Sequence, residues 1–134
     1  MPDEAFFDTN VLIYAVARND PRSARAEILL AAGGRVSVQV LNEFVSVTRR
    51  RMRMPWKDVL DALAAIQVLC PDPTPITVET HEAGLMIAEE YRYEIYDALI
   101  AAAALQVGCK ILFSEDLRDG QVIHDKLTIR NPFK

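Results

Sequence analysis

The sequence predicts an α/β fold: a three-layer α/β/α sandwich around a central, mainly parallel, twisted sheet, with residues 1–134 forming one unit of ordinary domain length. Three observations predict it. Short apolar runs alternate with longer helical patterns. The first run, Ala5-Phe6-Phe7, stops abruptly on Asp8. One helical segment, Asp97 to Val107, is apolar from Ala98 to Leu105, which marks an element buried on most sides.

Taken in order, Ala5-Phe6-Phe7 reads as the first strand. Thr9 to Ala17 places Val11, Leu12, Tyr14 and Ala15 at helical spacing. Asp20-Pro21 opens a second helix, with Asp20 as N-cap and Pro21 at its first position, and Gly33-Gly34 stops it. Val36-Ser37-Val38 reads as a brief strand. Gln39 to Arg51 is a helix with Val40, Leu41, Phe44, Val45 and Val47 on one arc. Pro55 starts the next helix, which ends near Cys70. Pro71-Asp72-Pro73-Thr74-Pro75 is a stiff connection inside one domain, too short to link two. Ile76 falls in a short strand, and Thr77 caps a helix running to Tyr91. Lys110 to Phe113 and Leu127 to Ile129 complete the strands.

Composition narrows the function. Apolar residues make up 51% and charged residues 25%, which excludes wholesale disorder. Cys70 and Cys109 lie far apart with no CxxC or Cys/His spacing, against a disulfide scaffold or zinc knuckle and in keeping with a reducing cytoplasm. No apolar run reaches the ~18 residues that span a bilayer. The start, Met1-Pro2-Asp3-Glu4, is acidic, unlike a signal peptide. The net charge is −4, so a polyanionic partner requires a local basic patch or a metal ion.

In parallel sheets, ligands bind at the carboxyl edge of the strands. Asp8 and the Ser114-Glu115-Asp116 turn both follow strands directly and fall on that edge. Glu43 sits at the border of its helix's apolar arc, about 40° from Val47 at 100° per residue. Asp97 opens the apolar helix. Each acid has a local reading: Asp8 and Asp97 as helix-terminal groups, Asp116 as a turn residue, Glu43 as a solvated side chain. Their convergence has a chemical one. Clustered carboxylates repel and raise one another's pKa. Hard divalent cations relieve that repulsion, and such ions acidify water and stabilise phosphoryl transition states. No P-loop or GxGxxG competes, and His81 and His124 lie in polar surroundings that suit the surface.

These residues carry a family resemblance. Phe7-Asp8-Thr9-Asn10-Val11-Leu12-Ile13 resembles the opening of PIN domains, and Glu43 stands where the family has its second acid. Asp97-Ala98-Leu99-Ile100-Ala101-Ala102-Ala103 is similar to the third motif, and Ser114-Glu115-Asp116-Leu117 to the fourth. The tail, Gln121-Val122-Ile123 with Ile129-Arg130-Asn131-Pro132-Phe133, resembles one branch of VapC-type toxins. The resemblance implies a Mg²⁺- or Mn²⁺-dependent endoribonuclease of a toxin–antitoxin pair, blocked by a small DNA-binding antitoxin. It also implies Asp8, Glu43, Asp97 and Asp116 as acidic metal-site residues, Thr9 and Ser114 as supporting hydroxyls, Asp119 as a further acid, and homodimer formation.

Arg49, Arg50, Arg51, Arg53 and Lys57 place five of the fifteen basic residues within nine positions. This run reads either as a phosphate-binding ridge or as a solvated helix end. Trp56 either stacks on a base or anchors the helix junction. Tyr91, Tyr93 and Tyr96 either gate the site or pack on the sheet, and both cysteines suit the core. Three rival functions differ in what they require. A haloacid-dehalogenase-type phosphatase needs a second Asp two positions after the first, where this chain has Asn10. A response-regulator-like receiver needs a mid-chain phosphoacceptor, and Asp72 lies in the proline-rich loop. A catalytically silent RNA- or protein-binding module on the same fold does not need all four acids.

Overall fold

The structure is a computed structural model that describes residues 4–134; Met1 to Asp3, most of the acidic start, lie outside the described residues. The elements in chain order are β1 (Ala5–Phe7), α1 (Thr9–Val16), α2 (Ser23–Ala31), α3 (Val38–Arg50), α4 (Trp56–Leu69), α5 (Val78–Tyr91), α6 (Ile95–Gln106), β2 (Ile111–Phe113), β3 (Val122–Ile123) and β4 (Leu127–Arg130). The sheet order is β1-β2-β4-β3. β1 pairs with β2 and β2 with β4 in parallel, while β3 runs antiparallel to β4. Phe6 and Phe7 point to opposite faces of the sheet, yet both are wholly buried. Helices therefore cover both faces, as the three-layer reading requires.

The Ala-rich segment of α6 is buried from Ala98 to Ala104, as its all-round apolarity predicts. The missing side chain of Gly84 on α5 makes room for Leu99 of α6: an added Cβ there would lie 2.8 Å from the Leu99 side chain. Gly34 is more tightly constrained. A Cβ there would stand 2.5 Å from the Phe7 ring and 3.0 Å from the Ala5 carbonyl oxygen. Phe7 is in the core, so little can yield. Gly34→Ala is expected to lower stability by about 1–3 kcal/mol, the usual cost of overpacking; unchanged denaturant unfolding would contradict this packing.

Four expectations are corrected. Helix α2 begins at Ser23, because the Asp20 carboxylate accepts from the Arg22 backbone N–H at 2.8 Å and from the Arg22 guanidinium, closing a turn in place of the helix's first residues. Val36-Ser37-Val38 does not persist as a strand. Arg35 bridges Phe6 and Ser37 bridges Thr74, but Ser37 is already the N-cap of α3, so the chain leaves the sheet at once. The expected strand at Ile76 is replaced by that single Thr74 bridge. Helix α6 starts at Ile95 after Glu94, which places Asp97 third in its first turn instead of at its opening. The two-residue β3 strand carries no periodicity to read and was not anticipated. Thr77 caps α5 as expected, in a reciprocal pair with Thr80. Among the described residues, no helix is long and apolar enough to cross a membrane.

Candidate active site

The carboxyl ends of β1 and β2 lie side by side, with Phe7 opposite Phe113. Asp8 and Ser114, the next residues of each chain segment, therefore meet although 106 positions separate them. The Ser114 hydroxyl donates to Asp8 Oδ2 at 2.6 Å. The Thr9 backbone N–H donates to Asp8 Oδ1 at 2.6 Å, so Asp8 also caps α1. The local and the chemical readings of Asp8 are thus compatible.

Helix α1 brings a second acid to this point. The Thr9 hydroxyl donates to Glu43 Oε1 at 3.1 Å, and Gln39, one turn before Glu43 on α3, donates to Oε2 at 2.7 Å. Asn10 brings a third. Its Nδ2 lies 3.3 Å from both Asp8 Oδ2 and Asp116 Oδ2, and its Oδ1 accepts from the Glu115 backbone N–H at 3.3 Å. One amide thus spans two carboxylates and fixes the loop that carries Asp116.

Asp8 forms the floor, 3% exposed; Glu43 and Asp97 are half-buried, and Asp116 is exposed at the rim. Burial is the main force raising the pKa of Asp8 to about 7, and the Asp97 and Asp116 charges add to it against the Ser114 and Thr9 hydrogen bonds. Burial likewise pushes Asp97 up to about 6, with repulsion from Glu94, Glu43 and Asp116. The structure therefore places Asp8, Asp97 and Asp116 within electrostatic reach of one another and Glu43 within reach of Asp97, with Thr9 bonded to Asp8 and Glu43 and Ser114 to Asp8.

Other expected residues lie elsewhere. Asp119 accepts from the Asn131 backbone N–H at 2.8 Å and faces Lys134, so its carboxylate fastens the C-terminal tail. Glu115 turns away from the acids toward Arg22 at 3.0 Å and also takes the Tyr14 hydroxyl, while the Arg22 guanidinium lies 3.8 Å from the centre of the Tyr14 ring. Tyr91 and Tyr93 bond to His124 and Gln121, and Tyr96 is exposed. His81 and His124 are at the surface, and Cys70 and Cys109 are buried, as expected. Sequence reading missed Asn10 and Gln39 as individual contributors. Gln39 was visible as the i,i+4 partner of Glu43, and Asn10 as the amide two residues beyond Asp8.

The donor set fits a hard cation. Around Asp8 the donors are carboxylate and hydroxyl oxygens, with no histidine or thiol among the hydrogen bonds at the site. Among the described residues, no three acidic, His or Cys groups stand close enough to enclose one ion. A Mg²⁺-like ion does not need such a cage, since it typically takes one or two carboxylates and keeps several waters.

The chain is thus an α/β protein with repelling carboxylates gathered at the carboxyl edge of its parallel strands, an acidic candidate site with oxygen donors. The PIN domain family model matches residues 5–122, and the chain belongs to that family. The fold is similar to that of a toxin–antitoxin complex from Klebsiella pneumoniae: TM-score 0.73, 20% identity, 97% of this chain and 98% of that one covered. It is also similar to VapC20 of Mycobacterium tuberculosis, described as a sarcin-ricin loop cleaving toxin: TM-score 0.64, 24% identity, 84% and 91% covered. A third similar structure is VapBC2 from Rickettsia felis bound to a promoter DNA fragment: TM-score 0.66, 16% identity, 95% and 97% covered. No curated protein matches the chain.

Proposed function

We propose that this PIN domain is a Mg²⁺- or Mn²⁺-dependent endoribonuclease, the toxin of a type II toxin–antitoxin pair. The observation that carries the reading is the gathering of Glu43, Asp97 and Asp116 beside the buried Asp8 carboxylate, whose pKa is raised to about 7. Family membership supports it, as do similar folds described as toxins, one of them a cleaver of the sarcin-ricin loop.

Asp8 and Asp97 would hold the ion, with Asp116 at the open side. Once bound, the ion supplies positive charge that acidifies water and offsets the negative charge developing on a phosphodiester. The chain's own groups do the positioning. Ser114 and the Thr9 N–H fix both oxygens of Asp8. Thr9 and Gln39 orient Glu43, which retains lone pairs to accept a proton from the attacking water. Asn10 keeps Asp116 near Asp8 against their repulsion.

The same acids define the partner. An antitoxin blocking this site presents a cationic side chain to Asp8, Glu43 and Asp97. Two of the similar structures are described as a toxin–antitoxin complex and as VapBC2 with promoter DNA, which supports a small DNA-binding antitoxin. Homodimer formation and a cytoplasmic location belong to the same reading.

The decisive assay incubates the isolated chain with mixed cellular RNA. Internal cuts are expected with Mg²⁺ or Mn²⁺ and none with excess EDTA. Chelator-resistant cleavage would refute the metal mechanism. RNA bound but uncut with either ion would favour a silent RNA-binding module.

A further inference from the structure

The members of the arginine run have different surroundings. Arg49 is occupied by its own chain: its guanidinium lies 4.5 Å from the centre of the Trp56 ring and donates to the Met54 carbonyl at 2.8 Å. Arg51 and Arg53 line two grooves instead. The first, about 360 Å³, adjoins the acids and includes Asn10, Glu43, Arg51, Met52 and Asp116 in its walls. The second, about 480 Å³, includes Arg18, Met52, Arg53 and Met54, with the single carboxylate of Asp58 against two arginines. Met52 belongs to both, so the grooves meet there and lead from the acids toward Arg18 and Arg53. Those two arginines and Arg51 are exposed. None of the three takes part in an ion pair among the described residues. Arg53 has a left-handed backbone, φ 53°, a conformation in which glycine is more at ease.

We propose that this double groove is the track of single-stranded RNA beside the cut, with Arg51, then Arg18 and Arg53, contacting successive backbone phosphates. The inference rests on the ribonuclease reading and adds the course of the substrate and one residue, Arg18, from outside the arginine run. The charge sequence selects the ligand. An acidic peptide suits the arginine end and is repelled by the carboxylates, and a basic peptide meets the reverse. A polyphosphate chain with a divalent cation suits both ends, because the cation reverses the sign of the acidic one. Val16, Met52 and Met54 give the far groove apolar walls that suit unpaired base faces, which a duplex keeps stacked inside.

The test combines Arg18→Gln with Arg53→Gly and uses a fluorescein-labelled, 12-nucleotide RNA of mixed sequence. Glycine relieves the left-handed backbone at position 53, so the melting temperature is expected to stay at or above that of the wild type. KM for the RNA is expected to rise about tenfold or more while kcat changes by less than about threefold. The slope of log affinity against log salt should fall by about 1.4, at ~0.7 per lost phosphate contact on a single strand. If the wild type cleaves and the variant matches it in KM and salt slope, the track is overturned while the ribonuclease reading survives. If the wild type does not cleave, the ribonuclease reading fails, and fluorescence anisotropy with the same RNA still decides whether the arginines bind it. Loss of binding to a poly-glutamate peptide, with RNA binding unchanged, would also overturn the track and assign these arginines to a protein partner.

Discussion

Asp97→Asn is expected to lower metal-dependent RNA cleavage by at least about 10²-fold, and Asp8→Asn by at least as much. Asparagine keeps the shape of each side chain and removes a charge. Asp97 stands in the first turn of α6 and is repelled by Glu94 at the cap of the same helix and by Glu43 and Asp116 from other elements. Asp8 is more deeply placed, with both oxygens fixed by donors. Losing one preorganised electrostatic group in an active site typically costs 10²–10³ in rate. Single-turnover rates on one RNA at saturating Mg²⁺ are the measurement, since they separate chemistry from product release. Undiminished cleavage by both variants would remove these aspartates from the site.

The metal-free protein is expected to lose stability as pH rises from about 4 to 7. An unfolded aspartate titrates near 3.9, whereas folded Asp8 is raised to about 7. Between those values the folded state binds the proton that the unfolded state has released. Stability from this group is therefore complete below about pH 4 and is lost as pH rises through 7. At about 1.4 kcal/mol per pH unit for one proton, Asp8 alone is worth a few kcal/mol over this window. Asp97, raised to about 6 but half-exposed, adds about 1–2 kcal/mol after allowance for solvent screening. In Asp97→Asn that second share disappears. Variant and wild type should be nearly equal at pH 4, and the variant more stable at pH 8. The helix dipole opposes this by 0.3–1 kcal/mol, because α6 favours a negative charge in its first turn. Mg²⁺ at ten times its dissociation constant should stabilise the wild type by about 1.4 kcal/mol, and the variant less. Melting curves at both pH values, with and without Mg²⁺, test this directly. Equal Mg²⁺ responses would mean that Asp97 takes no part in ion binding.

The acids legible in the sequence were those in locally costly places. Asp8 interrupts an apolar strand and Asp97 stands at the head of an apolar helix, so each marks a departure from simple burial. Spacing alone does not choose between neighbours, and only the resemblance singled out Asp116. Glu115 and Asp116 are adjacent carboxylates on one turn, and the distinction comes from Arg22, 93 positions away, which draws Glu115 to itself. Asp119 offers the same carboxylate, but the Asn131 backbone takes it. The arginine run divides for a similar reason: Trp56 occupies Arg49, while the left-handed turn at Arg53 sends the chain a different way. The strand at Val36–Val38 failed where two good local signals overlapped, since Ser37 is both a bridge residue and a helix cap. Tertiary partners settle such conflicts, and no window of sequence contains them.

The bond from Ser114 to Asp8 joins the two ends of the chain. While the polypeptide is being made, Asp8, Thr9 and Glu43 emerge early, but β1 has no β2 to pair with until Ile111–Phe113 has been synthesised. A chain halted before that point lacks Ser114 and Asp116 and carries only an open fragment of the pocket. β2 in turn pairs with β4, near the end of the sequence. Translation thus works as a delay: the acidic pocket and the sheet around it are completed only once Ile111–Phe113 and Leu127–Arg130 have been made.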